Sequence, residues 1–199
     1  YYFHRFMHNK EAAGLYMIII MIASLVAALS SNWISQYISK KRLFIYTLVF
    51  TAITNGLIFF ASPNDTALIF VLGSLSEFGA GIMPVLFFAM LGDAADYSEY
   101  KSGRRATGLF YSAGTLSLKF GGGFAGAIIG FVLSGYGYNP DVPSSIADAV
   151  PGIRLLMSWI PVVFAAAAIV FMFFYPLSRK KMDEIDETLI QRRGQEAQS

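Results

Sequence analysis

The stretch GLFYSAGTLSLKFGGGFAGAIIGFVL, Gly108 to Leu133, decides how the chain is read. It is apolar over more than the ~20 residues a helix needs to cross a bilayer's hydrocarbon core, yet it carries one charge, Lys119, near its middle. An ammonium at that depth costs roughly 2.5–3.5 kcal/mol on insertion scales, so it requires a buried partner, a wet cavity or a task. On a helix, Tyr111, Thr115 and Lys119 share one face, which continues into Gly122, Gly123 and Gly126. Leu109, Leu116, Leu118, Phe124 and Ile128 cover the other faces. The first face reads as a polar stripe lining an interior, and the others as surface for lipid or neighbouring helices. Gly122, Gly126 and Gly130 recur every fourth residue, a spacing that lets two helix backbones approach closely in lipid, so helix packing is the reading they favour.

The remainder of the chain has the same character. At 55% hydrophobic and 16% aromatic residues it is too apolar to cover itself as a soluble domain. It reads as an all-α polytopic membrane protein with five spans, at 14–35, 43–61, 67–91, 108–133 and 153–175. Residues 1–176 form the helical bundle and 177–199 a tail. Tyr1 to His8 read as the end of a further helix, and with no initiator Met the chain reads as a fragment.

Charge gives the orientation. Lys40, Lys41, Arg42, Lys101, Arg104, Arg105, Arg179, Lys180, Lys181, Arg192 and Arg193 fall on one side, and only Arg5, Lys10 and Arg154 on the other. Cytoplasmic loops are enriched in Lys and Arg, so the C-terminus is expected in the cytoplasm. The absence of Cys removes disulfides and thiolate metal sites. Ser62-Pro63-Asn64-Asp65 reads as a tight outer turn, and Gly135-Tyr136-Gly137-Tyr138-Asn139-Pro140 opens a longer outer loop ending near Pro151-Gly152. The tail sets Met182, Ile185 and Leu189 at helical spacing among charges, which predicts an amphipathic helix on the inner membrane surface.

Two more constellations carry charge. Glu77 lies inside the third span, near one face with Gly73, Gly81 and Pro84, and Pro84 is expected to kink the helix. That combination suits a substrate-lining or gating segment as well as a carboxyl bonded to a neighbouring helix. At the inner end of the same span, Asp93 and Asp96 point roughly the same way and require cationic partners; half of an ionic latch between helix bundles is the favoured reading. His4 and His8 have a metal-compatible spacing without a catalytic acid beside them and read as loop residues. No Ser/His/Asp set and no phosphate-cradling loop are found, so neither hydrolysis nor ATP use is expected, and nothing points to nucleic acid.

The run Asp93 to Gly103, Asp-Ala-Ala-Asp-Tyr-Ser-Glu-Tyr-Lys-Ser-Gly, followed by Arg-Arg-Ala-Thr-Gly, Thr115, Lys119 and the glycines, closely resembles the glycoside-pentoside-hexuronide cation symporters, melibiose permease-like members of the major facilitator superfamily. The opening Tyr1-Tyr2-Phe3, the loop at Ser39 to Arg42 and the basic tail extend the resemblance along the chain. It implies the C-terminal six-helix half of such a carrier, with five complete spans plus the end of a sixth. It also implies symport of a sugar or glycoside with Na+, H+ or Li+ across the bacterial cytoplasmic (inner) membrane, the cation held mainly by the missing N-terminal half. Thr115 and Lys119 then contribute to the sugar and cation region, and Asp93, Asp96 and Arg105 to an inner-side gate. With Tyr111 and Glu77 as further hydroxyl-binding groups, the substrate set is Thr115, Lys119, Tyr111 and Glu77. A non-transporting membrane scaffold or sensor subunit, assembling through the glycine face, is the reading from another class.

Overall fold

The structure, a computed structural model, describes residues 10–61, 65–142 and 144–196. Seven helices account for most of them, and no strand occurs among the described residues: α1 (Lys10–Tyr37), α2 (Lys40–Ile58), α3 (Thr66–Ser102), α4 (Thr107–Gly135), α5 (Ser145–Met157), α6 (Trp159–Phe173) and α7 (Arg179–Glu196). By length and composition, four segments can cross a membrane: Gly14–Tyr37, Ala67–Ser102, Thr107–Gly135 and Ser145–Phe173. α2 has only 19 residues, and three basic residues open it. The readings of Tyr1 to His8 and of Ser62-Pro63-Asn64 lie outside the described residues.

α3 is the axis of the bundle, packing on α1, α2, α4 and α7. Its glycines set the approach of its neighbours. A Cβ at Gly81 would lie 2.6 Å from the Ser24 carbonyl oxygen of α1, Gly79 abuts Thr47 and Thr51 of α2, and Gly73 receives the Tyr16 ring of α1. The glycines of α3 thus let α1 and α2 approach closely, which small residues permit in lipid. Ala27, Leu43, Ile82 and Leu86 form the buried centre of this contact, flanked by Ile34, Ile38, Phe44 and Phe78. The helix runs unbroken through Pro84. Its 37 residues rise to about 56 Å, well beyond the ~30 Å hydrocarbon core, so its last turns extend past the membrane. It stops at Gly103, whose φ of 67° is left-handed and whose N–H donates to the Glu99 carbonyl at 2.8 Å.

α4 ends through a similar device. The Tyr138 N–H reaches back to the Leu133 carbonyl at 3.0 Å across Gly137, at φ 77°. The outer loop is shorter than the sequence suggests, because α5 begins at Ser145 and contains Pro151 in its interior, where the expected span started only at 153. Ser145 seals the turn, its hydroxyl accepting from the Asn139 N–H at 2.9 Å. A break at Ser158 separates α5 from α6, and the buried Ser158 hydroxyl donates to the Arg154 carbonyl at 2.5 Å.

Cations close several helix C-termini. Arg179 donates to the Gln36 carbonyl at 2.7 Å, Lys41 to those of Phe173 and Tyr175 at 3.1 and 2.6 Å, and Arg154 to those of Phe59 and Ala61 at 2.5 and 3.4 Å. Each brings positive charge to the negative end of a helix and satisfies orphan carbonyls. α7 is a helix, and part of its apolar side is covered within the chain while Ile190 stays exposed. Leu177, Ile185 and Leu189 are buried against Tyr97, Tyr100, Tyr175 and Met182, because the overhanging end of α3 offers aromatic surface that the tail covers.

Candidate functional site

The polar stripe of α4 survives as a physical feature. Tyr111, Ser112, Thr115, Leu116 and Lys119 line one open groove with a volume of about 430 Å³. Tyr111 stacks on Phe88 of α3, rings 6.3 Å apart and 8° from parallel, and donates its hydroxyl to the Phe88 carbonyl at 3.3 Å. The Thr115 hydroxyl donates to the Tyr111 carbonyl one turn back at 2.8 Å, which leaves its lone pairs turned to the groove for a donor. Among the described residues, Lys119 has neither a hydrogen bond nor an ion pair. It lies 12 residues, or about 18 Å, from the start of a helix about 44 Å long, so the charge stands near the middle of the span.

Why the groove is open follows from how α4 is held. The helix meets α3 where Leu91 packs over Gly114 and the Tyr111 hydroxyl approaches Gly92, and beyond those contacts it leaves the bundle. Gly114 is its only buried residue. A Cβ added at Gly121, Gly122, Gly123, Gly126 or Gly130 would meet nothing within 4 Å. The four-residue glycine spacing, expected to mark helix packing, thus has no packing partner within the described residues. Across the helix, Phe124 touches Phe164 of α6 edge to face, with centroids 6.4 Å apart.

Glu77 stands apart from this groove. It is partly buried on α3, one turn from the Gly73 position that holds the Tyr16 ring of α1. Its neighbour Ser76 donates to the Asn55 side chain of α2 at 2.9 Å, an interhelical polar pair that the sequence reading missed.

The inner carboxylates have partners in this chain. Asp93, with a side chain 12% exposed, is held by Lys40 at 2.6 Å. Arg193 of α7 grips Glu99 through two hydrogen bonds, at 3.1 and 2.8 Å, and reaches Asp96 at 3.7 Å. The bidentate bond to Glu99 raises the Arg193 pKa further above its ordinary value. Arg105 stays outside the cluster, exposed in the turn between α3 and α4 with no ion pair among the described residues. Under α7, a pocket of about 170 Å³ is lined by Lys40, Lys41, Asp93, Tyr175, Arg179 and Asp186, among others. Burial pushes the Asp186 carboxyl up, and Asp96 and Asp93 add to it. Lys40 and Arg193 were not singled out as partners, because nothing local links them to acids 53 and 94 residues away.

Long apolar helices, one of them with a mid-span lysine that has no partner among the described residues, define a helical membrane protein. The MFS/sugar transport protein family matches residues 1–179, and the chain belongs to that family, whose members are transporters and not enzymes. Among its relatives are the isoprimeverose transporter of Lactiplantibacillus pentosus, 28% identical over 96% of this chain and 38% of that protein, and the glucuronide carrier protein homolog of Escherichia coli (strain K12), 28% identical over 86% and 38%. A third is the uncharacterized symporter YnaJ of Bacillus subtilis (strain 168), 28% identical over 91% of this chain and 39% of that protein. The chain spans about two-fifths of the length of these relatives. The matches carry the family, but the chain matches the N-terminal part of the relative and not the C-terminal half that the resemblance implied.

Proposed function

We propose that this chain is part of a secondary active transporter that moves a sugar or glycoside together with a cation by alternating access. One observation carries the reading: Lys119 stands near the middle of an apolar helix without a partner among the described residues, on an open groove shared with Thr115 and Tyr111. The cost of that charge is offset when the rest of the carrier brings carboxylates to the groove. A bound Na+, Li+ or H+ then changes the charge balance around the lysine, and sugar and cation favour each other by a shared coupling free energy. Thr115 and Tyr111 offer directional groups to sugar hydroxyls. The names of the relatives, an isoprimeverose transporter, a glucuronide carrier protein homolog and an uncharacterized symporter, support the substrate class and the coupling. Glu77 serves as a second polar position on the α1 side.

Asp93 with Lys40 and Asp96 with Arg193, beside Arg105 in the adjoining turn, form this chain's side of an inner gate. Alternating access exchanges these pairs for partners in the other bundle. The one-sided basic residues support a C-terminus in the cytoplasm of a bacterium, with the bundle in its inner membrane. Lys119→Ala in the full-length carrier abolishes cation-driven uphill sugar accumulation in cells or proteoliposomes while leaving the amount of protein in the membrane unchanged. Undiminished accumulation would turn α4 back into an assembly face of a scaffold.

A further inference from the structure

We propose that the furrow between α2 and α6 is a binding site for one anionic phospholipid, with an acyl chain along the furrow and the headgroup at Arg154. The furrow has a volume of about 380 Å³ and an apolar lining that includes Val49 and Gly56 of α2, Phe60 just beyond its end, and Trp159, Val162 and Ile169 of α6. From Val49 along α2 and through the turn to Phe60 it runs about 16 Å, close to the ~15 Å of hydrocarbon in one leaflet. A groove of that depth fits a chain anchored at one membrane surface.

The Phe60 and Trp159 end has the chemistry of a headgroup site. Phe59 stands edge to face with Trp159, centroids 6.2 Å apart, and the Arg154 guanidinium lies over the Phe59 ring at 5.3 Å. Arg154 spends one terminal nitrogen on the Phe59 and Ala61 carbonyls. Its other terminal nitrogen and its Nε have no partner among the described residues and suit a phosphate. Aromatic rings beside a guanidinium form the amphipathic boundary found where a chain meets water. Charge complementarity at this end is what selects a lipid over a second copy of the chain, which would bring its own Arg154 against this one.

The chain's two tryptophans make the test direct, since Trp159 lines the furrow and Trp33 is exposed elsewhere on α1. The Trp33→Phe chain is placed in phosphatidylcholine vesicles carrying increasing amounts of brominated phosphatidylglycerol or brominated phosphatidylcholine, and fluorescence quenching is read. Trp159 reaches half-quenching at about fivefold lower mole fraction of the anionic lipid, the preference one basic side chain gives near the membrane surface. Trp33, read in the Trp159→Phe chain, has no such preference. Arg154→Gln removes the preference and Arg154→Lys retains it, so a lost preference is distinguishable from a misfolded bundle. Gly56→Leu, whose Cβ meets Val162 at an ordinary 3.9 Å, fills the furrow and weakens quenching by both lipids. Equal quenching of Trp159 by both lipids, matching Trp33, would mean unselective boundary lipid and overturn the proposal. Weak quenching by both, with a crosslinked dimer through α2 and α6, would overturn it in favour of a second copy.

Discussion

α3 and α4 are both long, apolar, glycine-bearing helices with intramembrane charge in their sequences, and they have opposite fates. In α3, Gly73, Gly79 and Gly81 each meet a neighbouring helix, and the carboxylates at its inner end are paired with Lys40 and Arg193. In α4, the glycines from Gly121 to Gly130 meet nothing, and Lys119 has no partner among the described residues. The same sequence signals therefore serve internal packing in one helix and stay unspent in the other.

The largest effect that separates the two helices comes from adding side chains to their glycines. Gly81→Leu forces a side chain onto the Ser24 backbone, 2.6 Å from its Cβ, and destabilises the bundle by about 1–3 kcal/mol or more. Gly126→Leu leaves the thermal unfolding of this chain in detergent within about 0.5 kcal/mol of the parent, since nothing lies near it. Equal losses at the two positions would erase the contrast.

Asp93→Asn comes next. It takes the charge from the partner of Lys40 and costs about 1–3 kcal/mol, moderated because Lys40 is 39% exposed. A double-mutant cycle with Lys40→Met checks that the loss belongs to the pair. The smallest effect is one of pH. Asp186 has a raised pKa in the folded state, so its contribution to the docking of α7 is complete below the ordinary Asp range and is lost as pH rises through that raised value. The protection of α7 amides, corrected for the intrinsic pH dependence of exchange, falls across that window, and Asp186→Asn abolishes that fall.

How much of this was legible beforehand follows the same division. The apolar runs and the stripe of Tyr111, Thr115 and Lys119 are local patterns, readable because a helix repeats every 3.6 residues. The early start of α5 was hidden because Asp148, Pro151 and Arg154 interrupt the apolar run, although Pro151 sits within the helix. The docking of α7 was hidden because its apolar residues do not say whether lipid or the tyrosines of α3 will cover them. Lys40 and Arg193 were invisible as partners because a pair across helices has no period in the sequence. Glu77 was legible as an intramembrane charge, whereas its neighbourhood with α1, away from the groove, depends on how α1 and α3 cross.

The central claim is that the unspent face of α4 meets substrate. Thr115→Cys in a full-length carrier from which any Cys outside this Cys-free chain has been removed, alkylated in membrane vesicles with and without sugar and coupling cation, tests it most directly. The account predicts that transported sugar slows alkylation at position 115, more so with the cation present, and leaves a Cys at Gly130 unaffected. Equal rates at position 115 with and without every sugar that the carrier accumulates would contradict it.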